Sequence, residues 1–580
     1  MTMYILGINS VYHESAACLI RDGEVVLAVE EERFNRMSHG KIASPANTAL
    51  LPYAAIDECL RAANISLNDC AHVGYSFDPA ILQAGAAAWR ASNPVEPTWK
   101  LNETSYQTLE GWQAFLGGVL GTKELLRAKG FKGSFHYLSH HECHAASTFN
   151  VSPFEKAAVA VIDGIGEWAS ASLYLGNGKR LSKFKEYQFP NSIGFLWEKL
   201  SMYLGFSQYD ASKVMGLAAY GDPTATRRQF EKLVIDGDEL TVDASLLRHE
   251  SPDFGPLERL FGLPRRTSRI GDATDPEVRG YVNVAAGLQR VTEERVLRIL
   301  AAFDTDEYRK LCLAGGVALN CAMNGRVVRE RLFEDVFIQP ASHDAGTALG
   351  AAMLVWNKIL GRERTYVMRN AYLGPAYSKD EIERELKASD LEYKAVGNIA
   401  VEVARLIADG KIVGWFNGRM EWGPRALGNR SLLADPRNQN IREVINVKVK
   451  HRELYRPFCP SVLAEHAAEW FATGGGVDAN KYMLTTSEVL PHKRELIPAV
   501  VHVDGSARAQ EVHQADNPEF HALISEFEKL TGIPMLLNTS FNDCEPIVCS
   551  PRDAVKTFKK TGIDCLAMGG FIASKPGRDA

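Results

Sequence analysis

The sequence predicts an α/β protein of two domains, the first of them two-lobed, and three observations carry this expectation. At 580 residues the chain exceeds what one core usually holds, roughly 250–300 residues. An opening order of strand, hairpin and strand recurs at an offset of about 154 residues. Composition turns charged around 361–370, so the boundary falls there, giving domains 1–365 and 366–580.

The elements follow in order. Tyr4–Ile8 is apolar, Ser15–Ile20 follows, Asp22-Gly23 is a hairpin turn and Glu24–Val29 returns. A helical pattern runs over 46–63, a strand over 72–76, irregular helix and loop over 80–106, helix over 108–129 and strand over 134–138. Then the opening recurs: Val159–Asp163, Ala169–Leu175, the turn Gly176-Asn177-Gly178, and Arg180–Glu186, with Asn9 falling opposite Asp163. Short helices broken by prolines fill 187–270, a long helix runs 278–303, strands cover 311–313 and 335–338, and a helix rich in small residues spans 345–360. Two lobes that each open on an antiparallel meander and continue into helices are the pattern of the actin/sugar-kinase type of fold. The second domain alternates helices (378–388, 400–409) with short strands (412–416, 534–538).

With 46% hydrophobic and 23% charged residues the composition is that of an ordinary soluble globular protein. A net charge of −6 without a Lys/Arg block argues against a dedicated nucleic-acid or membrane surface. No run approaches the ~18–20 apolar residues of a membrane span. The opening Met-Thr-Met-Tyr-Ile-Leu reads directly as a strand, without a charged leader. Ten cysteines lack CxxC spacing, which suits reduced buried thiols. The expectation is a cytoplasmic protein.

Chemistry concentrates in a few places. His140 and His144 are four apart in a helical segment, so both imidazoles lie on one face. Asp163 ends the strand that follows, and Asp344 opens the small-residue helix. Two imidazoles and two carboxylates suit Fe(II), Zn(II) or Mn(II), although the histidines also read as solvated or capping residues and Asp344 as a helix cap. Gly315-Gly316, between strand and helix, is either a tight turn or a close backbone approach to an anion, with Asn320 one turn on. His13 lies in the first turn and is either a general base or a surface turn residue. In the second domain Arg425, Lys448, Lys450, His451, Arg452, Arg456 and Arg508 gather among Gly, Pro and aromatic residues, and Asn538 ends an apolar strand. Such a set suits a buried anion or, alternatively, a solvated basic face, against which the apolar and Gly/Pro neighbours of Arg425 and Arg456 count.

These pieces together resemble the ATP-dependent O-carbamoyltransferases that modify antibiotics and nodulation factors, the tobramycin carbamoyltransferase type. The likeness spans the chain: Gly7-Ile8-Asn9 with His13-Glu14-Ser15, Glu30-Glu31-Glu32-Arg33-Phe34, His140-His141 through His144, Asp163-Gly164, Lys213-Val214-Met215-Gly216, Gly315 to Asn320, Trp422 to Ser431, Arg456-Pro457-Phe458, and Asn538 to Asn542. It implies a first domain similar to the tRNA threonylcarbamoyl-transfer protein and a second similar to the YrdC-like domain. It implies that His140, His144, Asp163 and Asp344 bind Fe(II) or another divalent metal. Gly164, Lys213, Gly315, Gly316 and Asn320 would bind nucleotide. Arg425, Lys450, Arg456, Arg508 and Asn538 would hold carbamoyl phosphate, and His13 would deprotonate the acceptor hydroxyl. ATP with Mg(II) is the implied cosubstrate, carbamoyl adenylate the implied intermediate, and a hydroxylated natural product the implied acceptor. Residues 77–106 and 240–275 are expected to shape its pocket.

Other readings fit less of the chain. A tRNA-modifying threonylcarbamoyl transferase shares the metal and nucleotide chemistry but needs a basic face, which a net charge of −6 disfavours. A nucleotide-gated binding protein of the actin type leaves the second-domain cations unused. A hydrogenase-maturation carbamoyltransferase needs zinc-finger cysteine pairs, absent here.

Overall fold

In the computed structural model the described residues are 2–92, 109–237, 239–249, 251–472 and 478–577. The chain divides into two compact units: 1–270 with 276–323 and 332–368, and 369–580 with 271–275 and 324–331.

The first unit builds the same five-stranded sheet twice. β1 (Tyr4–Asn9), β2 (Ala16–Arg21), β3 (Glu24–Glu30), β4 (Cys70–Tyr75) and β5 (Ser134–Tyr137) pair in the order β3-β2-β1-β4-β5. β6 (Lys156–Ile162), β7 (Ala169–Asn177), β8 (Arg180–Gln188), β9 (Lys310–Ala314) and β10 (Asp335–Ile338) pair in the order β8-β7-β6-β9-β10. In each sheet the first three strands form an antiparallel meander and the last two run parallel to the first. This repeat is the actin/sugar-kinase-like architecture. β1 and β6 are apolar almost throughout because both faces are covered.

The helix Gly346–Leu354 explains its own composition. It packs between β1 and the helix His140–Phe149. A Cβ on Gly350 would stand 1.7 Å from the Cys143 carbonyl oxygen, and one on Gly7 would stand 1.9 Å from that of Ala348. Only small residues let these backbones approach, and the approach brings Asp344 beside the histidine helix.

Three expected elements are corrected. The helix over 46–63 is interrupted: Pro45–Asn47 is a 3₁₀ turn and the α-helix begins at Tyr53, after Leu51-Pro52. The stretch over 80–106 is not irregular at its start, since Pro79–Ser92 is a continuous helix with proline at its tolerant first position; residues 93–106 lie outside the described residues. The helix over 345–360 ends as α at Leu354 and continues through Val355–Ile359 as a π turn.

In the second unit β11 (Glu392–Ala395), β12 (Val413–Phe416), β13 (Arg430–Ala434), β14 (Cys459–Leu463), β15 (Gln510–Val512), β16 (Met535–Ser540), β17 (Cys565–Met568) and β18 (Phe571–Ser574) form one mixed sheet. Their order is β11-β18-β17-β12-β13-β16-β14-β15. The helices Lys379–Ala388, Ile399–Ala408, Pro518–Thr531 and Pro551–Lys560 bury Val403, Ile407, Phe520, Phe527 and Phe558 in its core. Among the described residues no helix is long and apolar enough to cross a membrane.

Candidate metal centre and cationic pocket

His140 opens its helix and His144 follows one turn later, so their rings meet edge to face with centroids 4.7 Å apart. Asp163 follows β6, and Asp344 precedes the helix Gly346–Leu354. His140 Nε2 lies 3.5 Å from Asp163 Oδ2 and 3.5 Å from Asp344 Oδ1, and His144 Nε2 lies 3.6 Å from each. The ligand atoms of all four residues fall within 4.8 Å of one another. Among the described residues no other group of three or more His, Cys, Asp or Glu converges in this way.

All four residues are buried, and both Nε2 atoms lack hydrogen-bond partners. Two such nitrogens facing two carboxylate oxygens fit a divalent cation. Outer contacts fix the donors: the Ser76 carbonyl lies 3.1 Å from His140 Nδ1, and the Gly316 N–H donates to Asp163 Oδ1 at 2.9 Å. Burial pushes the His140 imidazole down, but the Asp344 and Asp163 carboxylates hold it well above its ordinary value. Burial pushes both carboxyls up, yet His140 and His144 hold Asp163, and His140 above all holds Asp344, below the usual range. His141, between the two ligands in sequence, turns away to Ser172 Oγ at 2.8 Å, and burial brings it down to about 3.

The glycine turn touches this centre directly. Gly315 has φ 91, and a Cβ there would lie 2.3 Å from the Ile162 carbonyl oxygen. Asn320 spends its side chain inside the protein: Nδ2 donates to Gln289 Oε1 at 2.9 Å, and Oδ1 accepts the Met323 N–H at 3.0 Å. Lys213 pairs with Asp210 at 2.6 Å. A Cβ on Gly164 would meet the Phe195 ring at 3.5 Å, an ordinary contact, and Phe195 carries His249 stacked at 3.7 Å, a residue of the 240–275 stretch. His13 is 25% exposed in its side chain and packs edge to face on Tyr209 with centroids 5.2 Å apart.

The second unit brings cations together. Lys450 is buried and donates to Ser540 Oγ at 3.2 Å, to Asn542 Oδ1 at 2.6 Å and to the Ser540 carbonyl. Burial, then Arg452 and Arg456, drives its ammonium far below the ordinary lysine value. Burial and Arg456 bring Arg452 down to about 9, and its Nη2 has no partner. Arg456 has Glu453 at 3.7 Å. Arg508 points its Nε and Nη2 at Cys459 Sγ, at 3.1 and 2.9 Å. Asn538 donates to Ser461 Oγ at 2.9 Å and to the Ala426 carbonyl at 3.4 Å, so it supports the loop carrying Arg425.

Glu421 was not among the residues the sequence singled out. Its Oε1 accepts the N–H groups of Leu427, Asn429 and Arg430 at 2.7, 2.8 and 3.2 Å, which sets the loop around Arg425. Its position just before Trp422-Gly423-Pro424-Arg425 was the available signal. Glu14 and His39 were also missed as a pair; they are far apart in sequence and meet only in the fold.

Family comparisons agree along the chain. The family model described as Carbamoyltransferase N-terminus matches residues 4–353, and Carbamoyltransferase C-terminus matches 404–575. The chain is 37% identical to the nodulation protein NolNO of Sinorhizobium fredii, over 98% of this chain and 80% of that one. It is 39% identical to the nodulation protein NolO of Bradyrhizobium diazoefficiens, over 76% and 79%. A solved structure, component A of the Acidaminococcus fermentans (R)-2-hydroxyglutaryl-CoA dehydratase, aligns with 60% of this chain and 96% of its own, with 15% identity and a TM-score of 0.33.

Proposed function

We propose, for a chain that belongs to the carbamoyltransferase family, that it carries a carbamoyl group from carbamoyl phosphate, through carbamoyl adenylate made with ATP, to a hydroxyl of a small natural-product acceptor. The observation that carries this reading is the buried Lys450 beside Arg452 and Arg456: burial and these two guanidinium charges hold its ammonium far below the ordinary lysine value. Cations held so close raise one another's energy, and a bound polyanion relieves the cost.

In this reading the second unit, taken as YrdC-like, makes the adenylate. Carbamoyl phosphate and water give carbamate and inorganic phosphate. A carbamate oxygen then bonds to the α-phosphorus of ATP, and pyrophosphate leaves with the electron pair. Arg425, Lys450, Arg456 and Arg508 neutralise the crowded phosphates, and Mg(II) accompanies the ATP.

Transfer belongs to the first unit. His140, His144, Asp163 and Asp344 would hold a divalent ion, in the family resemblance Fe(II), which when bound would supply Lewis acidity. Gly315 and Gly316 present backbone to the nucleotide. His13 takes the proton of the acceptor hydroxyl.

The test is donor dependence. With purified protein, ATP should be consumed only when carbamoyl phosphate is present, yielding pyrophosphate. ATP turnover at the same rate without the donor would contradict the reading.

A further inference from the structure

The turn after β1 and the loop that follows β3 meet at a carboxylate that the metal centre does not use. Glu14 and His39 both adopt left-handed backbone, with φ 53 and 66, a conformation unfavourable for residues other than glycine and frequent at functional sites. Bonds on every side hold them there. Asn9 Nδ2 donates to the carbonyls of His13 and Glu14 at 3.1 and 3.0 Å. The His39 N–H donates to Glu32 Oε2 at 2.8 Å, and the Ser15 N–H reaches the His39 carbonyl at 3.4 Å.

This backbone aims three side chains at one point. His39 Nδ1 lies 2.5 Å from Glu14 Oε1, and His13 Nδ1 lies 3.9 Å from the same oxygen. The His13 Nδ1 atom is buried without a hydrogen-bond partner. Tyr209 covers both imidazoles, its ring 5.2 Å from that of His13 and 4.8 Å from that of His39. Tyr12, next to His13 in the chain, packs edge to face on His140 at 6.4 Å, so the turn borders the metal centre.

We propose that Glu14 and His39 are positioning residues for His13 in carbamoyl transfer. The inference rests on the carbamoyl-transfer reading. In that step the acceptor oxygen bonds to the carbamoyl carbon, the bond from that carbon to the adenylate phosphate oxygen breaks, and AMP leaves with the electron pair. The hydroxyl proton goes to His13. The imidazolium so formed needs an anion at Nδ1, and Glu14 is the carboxylate within reach. His39 holds Glu14 in place and balances its charge at rest. Burial pushes His39 down, but Glu14, with Glu32 and Asp210, holds it above the ordinary imidazole value. Burial pushes Glu14 up, yet His343, His39 and His13 keep it well below the usual carboxylate range.

The experiment uses the full chain with ATP, carbamoyl phosphate and water as the acceptor probe, following pyrophosphate and AMP separately. Glu14→Gln should leave pyrophosphate formation and bound metal as in the wild type and slow AMP release roughly 10²-fold. It should also displace the acid limb of the pH profile for AMP release. His39→Gln should slow AMP release less, and Glu14→Asp should restore part of the rate. AMP release within about twofold of wild type in Glu14→Gln, or loss of metal and of both products together, would overturn the proposal. The imidazole resonances of His39 should shift between the wild type and Glu14→Gln; resonances unchanged in the variant would also overturn it. Failure of the wild type to form pyrophosphate would instead overturn the carbamoyl-transfer reading, and the resonances would still judge the pair.

Discussion

The backbone N–H of Gly316 donates to Asp163 Oδ1 at 2.9 Å. Asp163 Oδ2 is thereby left facing His140 and His144. One carboxylate joins the glycine turn proposed for nucleotide to the centre proposed for metal, so each orients the other.

Asp163→Asn tests that link. The amide oxygen can keep the bond to Gly316, but the metal loses an anionic donor. Metal affinity should fall by at least ~10–100-fold, the loss seen even for outer contacts, as read by metal content after dialysis. Pyrophosphate formation should persist. Full metal occupancy in the variant would remove Asp163 from the ligand set.

Gly315→Ala places a Cβ against the Ile162 carbonyl and forces alanine to φ 91. Unfolding in urea should register a loss of roughly 1–3 kcal/mol, and metal content should drop as Asp163 shifts. Wild-type stability in this variant would contradict the close approach.

Lys450 sets a pH prediction. Its value in the folded chain is far below the ordinary one, so the unfolded state binds more protons over the interval between them. Stability therefore rises with pH through that interval. A bound phosphate reverses the cause of the shift and draws a proton onto Lys450. Calorimetry of phosphate binding in two buffers of different ionisation enthalpy, repeated at a series of pH values below the ordinary lysine value, should show proton uptake within that interval, abolished in Lys450→Met. Proton release on binding would contradict it.

Glu421→Ala removes the acceptor shared by the N–H groups of Leu427, Asn429 and Arg430. Leaving a buried donor unpaired costs roughly 1–3 kcal/mol, so a loss of at least that size should appear in denaturant unfolding. Pyrophosphate formation should fall as Arg425 loses its setting, while metal content stays. An unchanged loop would show as unchanged stability.

What could be read from the sequence followed period and spacing. The repeated meander was visible because the order strand, hairpin, strand recurs and the turns Asp22-Gly23 and Asn177-Gly178 fall nearly opposite each other. His140 and His144 were visible because one helical turn separates them, and Asp163 because it ends an apolar strand. The helix at Pro79–Ser92 was hidden because prolines and tryptophans nearby read as breakers. Asn320 reads as a candidate nucleotide contact, and its bond to Gln289 comes from an element that pattern alone cannot bring beside it, whereas Lys213 pairs locally with Asp210, three residues before it. The Glu14–His39 pair was illegible for the same reason, since a long hairpin and a loop intervene and no periodicity encodes the meeting.

The central claim is that this chain makes carbamoyl adenylate in its second unit. The most direct measurement is mass spectrometry of the purified protein with ATP and carbamoyl phosphate, without acceptor, beside Arg456→Ala. Carbamoyl adenylate and pyrophosphate should appear with the wild type and fall sharply with Arg456→Ala. Adenylate formed equally by both proteins, or by neither while metal and nucleotide are bound, would contradict the account.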